Sequence, residues 1–369
     1  MRAVFDREGL AAAFGLVAAV VPARTPKPVL QNVKVICGAE RTILMATDLE
    51  TAGIRYEVRG VSVEDPGEAL LPRDRMVAIL REASDQELKI EADDNATMIR
   101  GQSSEFELPG EDPSQYPDTP GFTGEKYHQI ASGVLKELIN RTSFAAAVES
   151  HRYAMTGVLW ELDGTKVRLV ATDGRRLAVA DGTGTAHGGH STVGQTPVVP
   201  TKVMTLLERN LSDADEQVSV TLSSNNVLFK TGRAEIYGRL VEGRYPPYKE
   251  VFPKKVAAKI PLAVTPLMRA SRQAAILTDE ESRGVGFTFD AGKLTLQARV
   301  ADKGRAKVEI PISYDGKPIT ITFDPKLVVD MLKVLDPEGE VLLELLDERS
   351  AALFKASDTY SYIVMPLNR

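Results

Sequence analysis

VATDGRRLAVADG, Val170 to Gly182, decides the fold, because its pattern of apolar strand, turn and second strand recurs on both sides of it. Val170 and Ala171, then Leu177 to Val179, are strand-prone, and the residues between them carry turn chemistry. MATDLETAGIRYEV (Met45 to Val58) repeats the pattern upstream, and ARVADKGRAKVEIP (Ala298 to Pro311) repeats it downstream in weaker form. After each copy a proline opens an amphipathic helix: LLPRDRMVAILREAS from Leu70, VVPTKVMTLLERNL from Val198 and TFDPKLVVDMLKVL from Thr322. Strands then close on an aromatic and a proline, in EFELPGEDPSQYPDTP, EIYGRLVEGRYPPYKEVFP and TYSYIVMP. The period of roughly 125 residues is that of a domain, too long for a solenoid.

A further helix opens each repeat. In SGVLKELINRTSFAAA, Val134, Leu135, Leu138 and Ile139 form one apolar stripe, which predicts a helix from about Ser132 to Ala147. Met76, Ile79 and Leu80, and then Val203, Leu206 and Leu207, do the same after Pro72 and Pro200. Pro72, Pro200 and Pro325 sit where the missing N–H has no intrahelical partner to lose. The class that follows is α+β: three tandem domains, each with two helices on antiparallel sheets. Proline-bearing segments at 113–124 and 246–255 separate the repeats, giving units of 1–124, 125–253 and 254–369.

Composition narrows the class. The chain has 369 residues, 43% of them hydrophobic, enough to bury several cores. Its single cysteine, Cys37, excludes a disulfide framework and fits a reducing, cytoplasmic setting. The net charge of −6 argues against a uniformly basic surface but not against a local basic one. The apolar run from Leu10 to Val21 has the length of a signal core. Asp6 and Glu8 stand where a signal needs positive charge, and the run aligns with the opening helices of the other repeats. No segment is apolar over a membrane-spanning length, so no membrane partner is expected.

Signs of catalysis are few. Phosphate-loop, dinucleotide, nucleophile-elbow and zinc-protease motifs are missing from the sequence. His187 and His190 lie in the glycine-rich 182–195 segment, read as an exposed flexible loop, with no third ligand in register; His128 and His151 are isolated. Neither a metal nor another cofactor is expected. Cys37 reads as a buried thiol, and Asp48 and Asp173 as turn-capping residues, since equivalent positions in tandem repeats lie far apart.

ATDGRRLAV, the proline-led helices, LVEGRYPPY, AAILTDEESRGV and the terminal YIVMPLNR together resemble the bacterial β sliding clamps, the processivity subunits of DNA polymerase III. The resemblance covers all three repeats in order. It implies a non-catalytic ring of two three-domain chains joined head to tail around duplex DNA, helices lining the hole and sheets outside. It also implies partners that carry a short clamp-binding peptide: the polymerase catalytic subunit, an ATP-driven clamp loader and other factors. A diverged clamp that stays monomeric and serves as a peptide-binding scaffold is the alternative.

Three sets of residues follow. The peptide pocket implied by the resemblance is Arg152, Met155, Thr172, Gly174, Arg175, Arg176, Leu177, Pro246, Val251, Val364, Met365, Pro366 and Leu367. Arg175, where relatives often have histidine, and the Leu367-Asn368-Arg369 end depart from the common pattern and shift the preferred peptide. Cations on or beside the helices are the candidates to face DNA phosphates: Arg24, Arg73, Arg75, Arg81, Lys136, Arg141, Lys202, Arg209, Arg269, Arg272, Lys326 and Lys333. At the ring joint the resemblance places Phe106 against Ile276 and Leu277. Period-two alternation adds Glu105 and Glu107 on one strand and Lys303, Arg305 and Lys307 on the other, acid facing base.

Overall fold

The computed structural model describes residues 1–93, 95–150, 153–278, 283–300 and 304–367. Its six α-helices come two to a repeat: α1 (Arg7–Ala18), α2 (Arg73–Glu82), α3 (Ser132–Thr142), α4 (Thr201–Arg209), α5 (Val264–Ala275) and α6 (Pro325–Leu332). Asp6 caps α1 by accepting from the Gly9 amide at 2.6 Å, and Asp324 caps α6 by accepting from Lys326, which leaves Pro325 at the first helical position. Pro72 and Pro200 stand one residue earlier than expected, at the cap itself. The α3 helix stops at Thr142, short of Ala147. There the Thr142 hydroxyl donates back to the Leu138 carbonyl at 2.7 Å and the chain tightens into a 3-10 turn, Ser143–Ala145.

Four antiparallel sheets carry these helices, and two of them cross from one repeat to the next. In the nine-stranded sheet, Ala234–Arg239 of the second repeat pairs with Ala52–Val58 of the first. In the eight-stranded sheet, Tyr360–Val364 of the third pairs with Arg176–Thr183 of the second. The same rule makes both junctions: the last strand of one repeat lies along the strand that follows the Ala-Thr-Asp turn of the repeat before it. Three repeats form two such joints and leave one partner of each kind over. Those are Glu105–Pro109, the last strand of the first repeat, and Gly304–Pro311, the turn-following strand of the third; each is the outermost strand of its own sheet.

Apolar helix faces fill the core against the sheets. Leu10, Phe14 and Val17 of α1 share a cluster with Met76, Ile79 and Leu80 of α2, and the rings of Trp160 and Phe229 pack 5.4 Å apart in the second repeat. Burial of each such side chain contributes about 1.5–3 kcal/mol. The outward residues of α1 are Glu8, Ala12 and Gly15, so this helix offers solvent no cation beyond half-buried Arg7.

A further expectation is overturned. The 182–195 segment is not a free loop: Thr185–His187 pairs with Tyr127–Ala131 as the outer strand of the nine-stranded sheet. His190 is only 7% exposed and bonds to His128, so neither histidine is solvated or isolated. Glycine spacing conceals this, because the side chains of the segment's buried residues, His190 and Thr192, find their partners on distant strands. His151 lies outside the described residues. Cys37 is buried as expected, and burial pushes its thiol pKa up. Among the described residues no helix is long and apolar enough to cross a membrane, and no group of three histidine, cysteine or carboxylate side chains is placed to hold a metal.

Candidate functional site

The central turn is built by its own side chains. Asp173 Oδ1 accepts from the Arg175 and Arg176 amides at 2.9 and 3.0 Å; the Thr172 hydroxyl donates to the Arg176 carbonyl at 2.6 Å and accepts from the Gly174 amide. Gly174 has φ +86°, a region costly for residues with a Cβ. In the first repeat Asp48 holds the Glu50, Thr51 and Ala52 amides in the same way, so both aspartates cap turns as the sequence suggests.

Strand register then sorts the expected pocket residues. Leu177 lies opposite Ile363, and Arg176 opposite Val364. Leu177 and Ile363 join Ala154, Val170, Val179, Tyr245, Tyr248 and Leu353 in an apolar layer on one face of the eight-stranded sheet. Val364 turns to the other face and is fully buried in the main core. Val364, expected in the pocket lining, therefore faces away from this layer, and Ile363, one residue earlier, is the one that joins it. Counting by twos from Tyr362, whose hydroxyl bonds into the α6 end of the core, would have found it. Around the layer, Met365 is 38% and Val251 41% exposed, with Met155 and Pro246 partly buried beside them. Residues 365–367 are tied down: the Met365 amide donates to the Arg175 carbonyl and the Leu367 amide to the Thr322 carbonyl, while Pro366 is buried. Val148, almost wholly exposed, follows Ala147, whose amide donates to the Met155 carbonyl; sequence reading passed it over. Arg175 is exposed, its guanidinium 4.0 Å from Asp173. Arg152, Asn368 and Arg369 lie outside the described residues.

Arg176 is also redirected. Its guanidinium is held by Asp173 at 3.1 Å, Asp330 of α6 at 3.0 Å and the Phe144 carbonyl at 2.7 Å, and it covers the Phe144 ring. It fastens the second repeat to the third and leaves little for a ligand. Burial pushes the Asp330 carboxyl up, but bonds from Lys333 and Arg176 outweigh it and hold the pKa below its ordinary value. A carboxylate with a lowered folded pKa stabilises above its unfolded value and loses that contribution as pH falls through the folded one. The junction should therefore weaken only in acid below about pH 4. Arg176→Ala leaves half-buried Asp330 with Lys333 as its one remaining ion-pair partner among the described residues and should cost about 1–3 kcal/mol, read as a lowered urea midpoint.

At the two leftover strands, apolar side chains stand in solvent. Phe106 is 36% exposed and Ile276, just past the end of α5, is 75% exposed, with Leu277 partly buried beside it. Glu105 is paired within its own sheet to Arg100 at 2.6 Å, whereas Glu107 has no ion pair among the described residues. Opposite in character, Arg305 and Lys307 project from Gly304–Pro311, but Glu309 on the same face binds Lys307 and Lys293 at 3.1 and 3.2 Å. Lys303 lies outside the described residues.

The helix cations divide by partner. Arg24, in the segment after α1, and Arg75, Arg209, Arg269, Arg272 and Lys326 are exposed and make no ion pair among the described residues. Among the described residues Lys136 reaches only the Leu211 carbonyl, at 3.4 Å. Arg73, Arg81 and Lys333 are paired to Asp74, Glu82 and Asp330 on their own helices or just beyond. Two others serve junctions. Lys202 binds Asp48 of the first repeat at 2.7 Å, and Arg141 pairs with Glu137 and lies over the Tyr360 ring of the third.

Known proteins share this architecture from end to end. Family models for the N-terminal, central and C-terminal domains of the DNA polymerase III β subunit match residues 1–120, 129–247 and 249–368. A β sliding clamp of Pseudomonas putida is 30% identical over 370 residues, covering all of both chains. Crystal structures of the DNA polymerase III β subunit from Pseudomonas aeruginosa, one of them bound to griselimycin, superpose with TM-scores of 0.90 and 0.91 at 29% identity, again covering 100% of each chain. With all three domain models matched in order and a relative of that identity aligned throughout, the chain belongs to the DNA polymerase III β-subunit family, the bacterial β sliding clamps.

Proposed function

We propose that two copies of this chain close head to tail around duplex DNA and tether the replicative polymerase by a peptide seated in a groove over the Leu177–Ile363 layer, rimmed by the exposed Met365 and Val251. The observation that carries the ring is the pair of leftover strands. Glu105–Pro109 and Gly304–Pro311 are the strand types that join at both internal junctions, and each has exposed apolar residues close by. Joining them between two chains repeats the internal rule twice more and leaves six domains in a closed cycle. The domains are taken as 1–124, 125–253 and 254–369, which the family-model limits support. Ion pairs between Glu107 and Arg305 or Lys307 would favour head-to-tail orientation more than they add affinity.

The free cations on α2 to α6 suit phosphates without reading bases, and the outer face of α1, with Glu8 and no fully exposed cation, leaves that part of the hole weakly attracting. A closed ring needs no tight grip, since topology holds it on the duplex. The groove needs an apolar anchor on the peptide; its exposed methionine, Met365, adapts to varied side chains. A polymerase so tethered returns to its primer end at high effective concentration, which is processivity without chemistry in this chain. Ring opening falls to a separate ATP-driven loader, and the cytoplasm, where replicating DNA lies, is the setting.

Retention on DNA tests the whole reading. Once loaded on nicked circular DNA, the protein should resist a salt wash and then leave within minutes when the circle is cut. Equal retention on linear and circular DNA, or a monomeric mass in light scattering at micromolar concentration, would replace the ring with a monomeric peptide-binding scaffold.

A further inference from the structure

One polar cluster serves neither groove, edge nor helix cations, and it lies beside the Thr185–His187 strand. His128 Nδ1 stands 2.7 Å from His190 Nδ1, and His128 Nε2 stands 3.1 Å from the Gly164 carbonyl. The Leu222 amide reaches His190 Nε2 at 3.2 Å. Both imidazoles belong to buried residues. A backbone amide only donates, so His190 Nε2 must be bare, and the neutral ring then carries its proton on Nδ1. That proton goes to His128 Nδ1, which must be bare in turn. His128 therefore holds its own proton on Nε2, where the Gly164 carbonyl, able only to accept, receives it. Four ring nitrogens are satisfied in one tautomeric arrangement.

We infer that His128 and His190 form a tautomer-locked pair that fastens the 185–192 segment over strands Tyr127–Ala131 and Gln217–Leu222, and that a second proton on either ring releases it. Protonation of His190 Nε2 sets an N–H against the Leu222 N–H; protonation of His128 Nδ1 sets one against the His190 N–H. Each places two donors face to face in a buried site, leaving at least one hydrogen bond unmade. Release would bare the edge of the nine-stranded sheet at Tyr127–Ala131, a row of unpaired backbone groups open to a further strand.

The surroundings favour the neutral pair. From the end of strand Gly157–Asp163, Asp163 favours a charged His128, while His187 on the outer strand, stacked on Tyr127 at 4.6 Å, opposes it. Gln217–Leu222 brings no ionisable side chain. Burial, then the neighbouring His190, pushes His128 below its ordinary 6.5, and burial lowers His190 likewise. For a base lowered on folding, the contribution is whole above the unfolded pKa and declines as pH falls toward the folded one. The lock is thus closed above about pH 6.5 and loosens below it.

Long-range proton–nitrogen spectra of the full chain with labelled histidine read the tautomers directly. Expected at pH 7.5 are Nδ1–H on His190 and Nε2–H on His128. Hydrogen exchange, corrected for intrinsic rates, should show protection of the Leu222 amide and of residues 185–192 falling by up to about tenfold per pH unit for each ring below pH 6.5, with Lys166–Thr172 unchanged. A His128→Gln, His190→Asn double variant should lose that pH dependence. Reversed tautomers, protection that stays flat from pH 7.5 to 5, or the same dependence in the double variant would each overturn the lock. If the double variant does not fold, the tautomers of the unmodified chain decide the matter alone.

Discussion

Replacing Ile276 and Leu277 together by aspartate should turn a stable dimer into monomers without unfolding either chain. Ile276 is three-quarters exposed in the isolated chain, so its replacement removes little from the fold. At the proposed joint both side chains lie against Phe106, and a carboxylate there loses apolar burial and adds an unpaired charge. The loss is about 3 kcal/mol or more per joint. A two-member ring contains the joint twice, so the dimer dissociation constant should rise on the order of 10⁴-fold. Sedimentation equilibrium across protein concentration reads this directly, with a urea melt on the same sample to show that the fold survives. Glu105→Lys with Glu107→Lys should act far more weakly, within about tenfold, and only at low salt, because Glu105 is already neutralised by Arg100. Unchanged dimerisation by the double aspartate would exclude the Phe106 joint.

The second large effect belongs to the proposed groove. Met365→Glu with Val251→Glu places two carboxylates on its exposed rim, where the fold tolerates them, and in the path of an apolar anchor. Peptide affinity, read by fluorescence anisotropy with a labelled clamp-binding peptide, should fall at least about 100-fold while dimer mass and melting midpoint stay put. Val364→Ala serves as the contrast. Its side chain faces the core, so it should cost about 1–3 kcal/mol of stability and change affinity little. The opposite outcome, affinity lost with Val364→Ala and kept with the rim pair, would place the anchor on the other face of the sheet.

Some of this was legible before any coordinates. The threefold repeat, the proline-led helices and the aspartate-capped turns are local features, fixed by side-chain periodicity and by hydrogen bonds spanning two to four residues. Helix ends were less so: α3 closes early through a back-bond that composition does not announce. At the proposed groove, the family resemblance suggested Arg176 and Val364, and the alternation of a strand whose partner lies far away in sequence turned both inward. His190 looked solvated among glycines because its partners, His128 and the Leu222 amide, come from two other strands.

The sequence by itself determined the number of domains, their α+β make-up and the family, since these rest on patterns that repeat at short range along the chain. Only the tertiary structure decided which face each strand residue takes, which cations are spent at junctions, and which two strands are left to close a ring. Lys202 and Arg175 look equally free in the sequence, yet one is bound to Asp48 of another repeat and the other stands exposed. The reason is register: pairing between strands far apart in the chain is set by packing of whole repeats, and a shift of one residue exchanges core for surface.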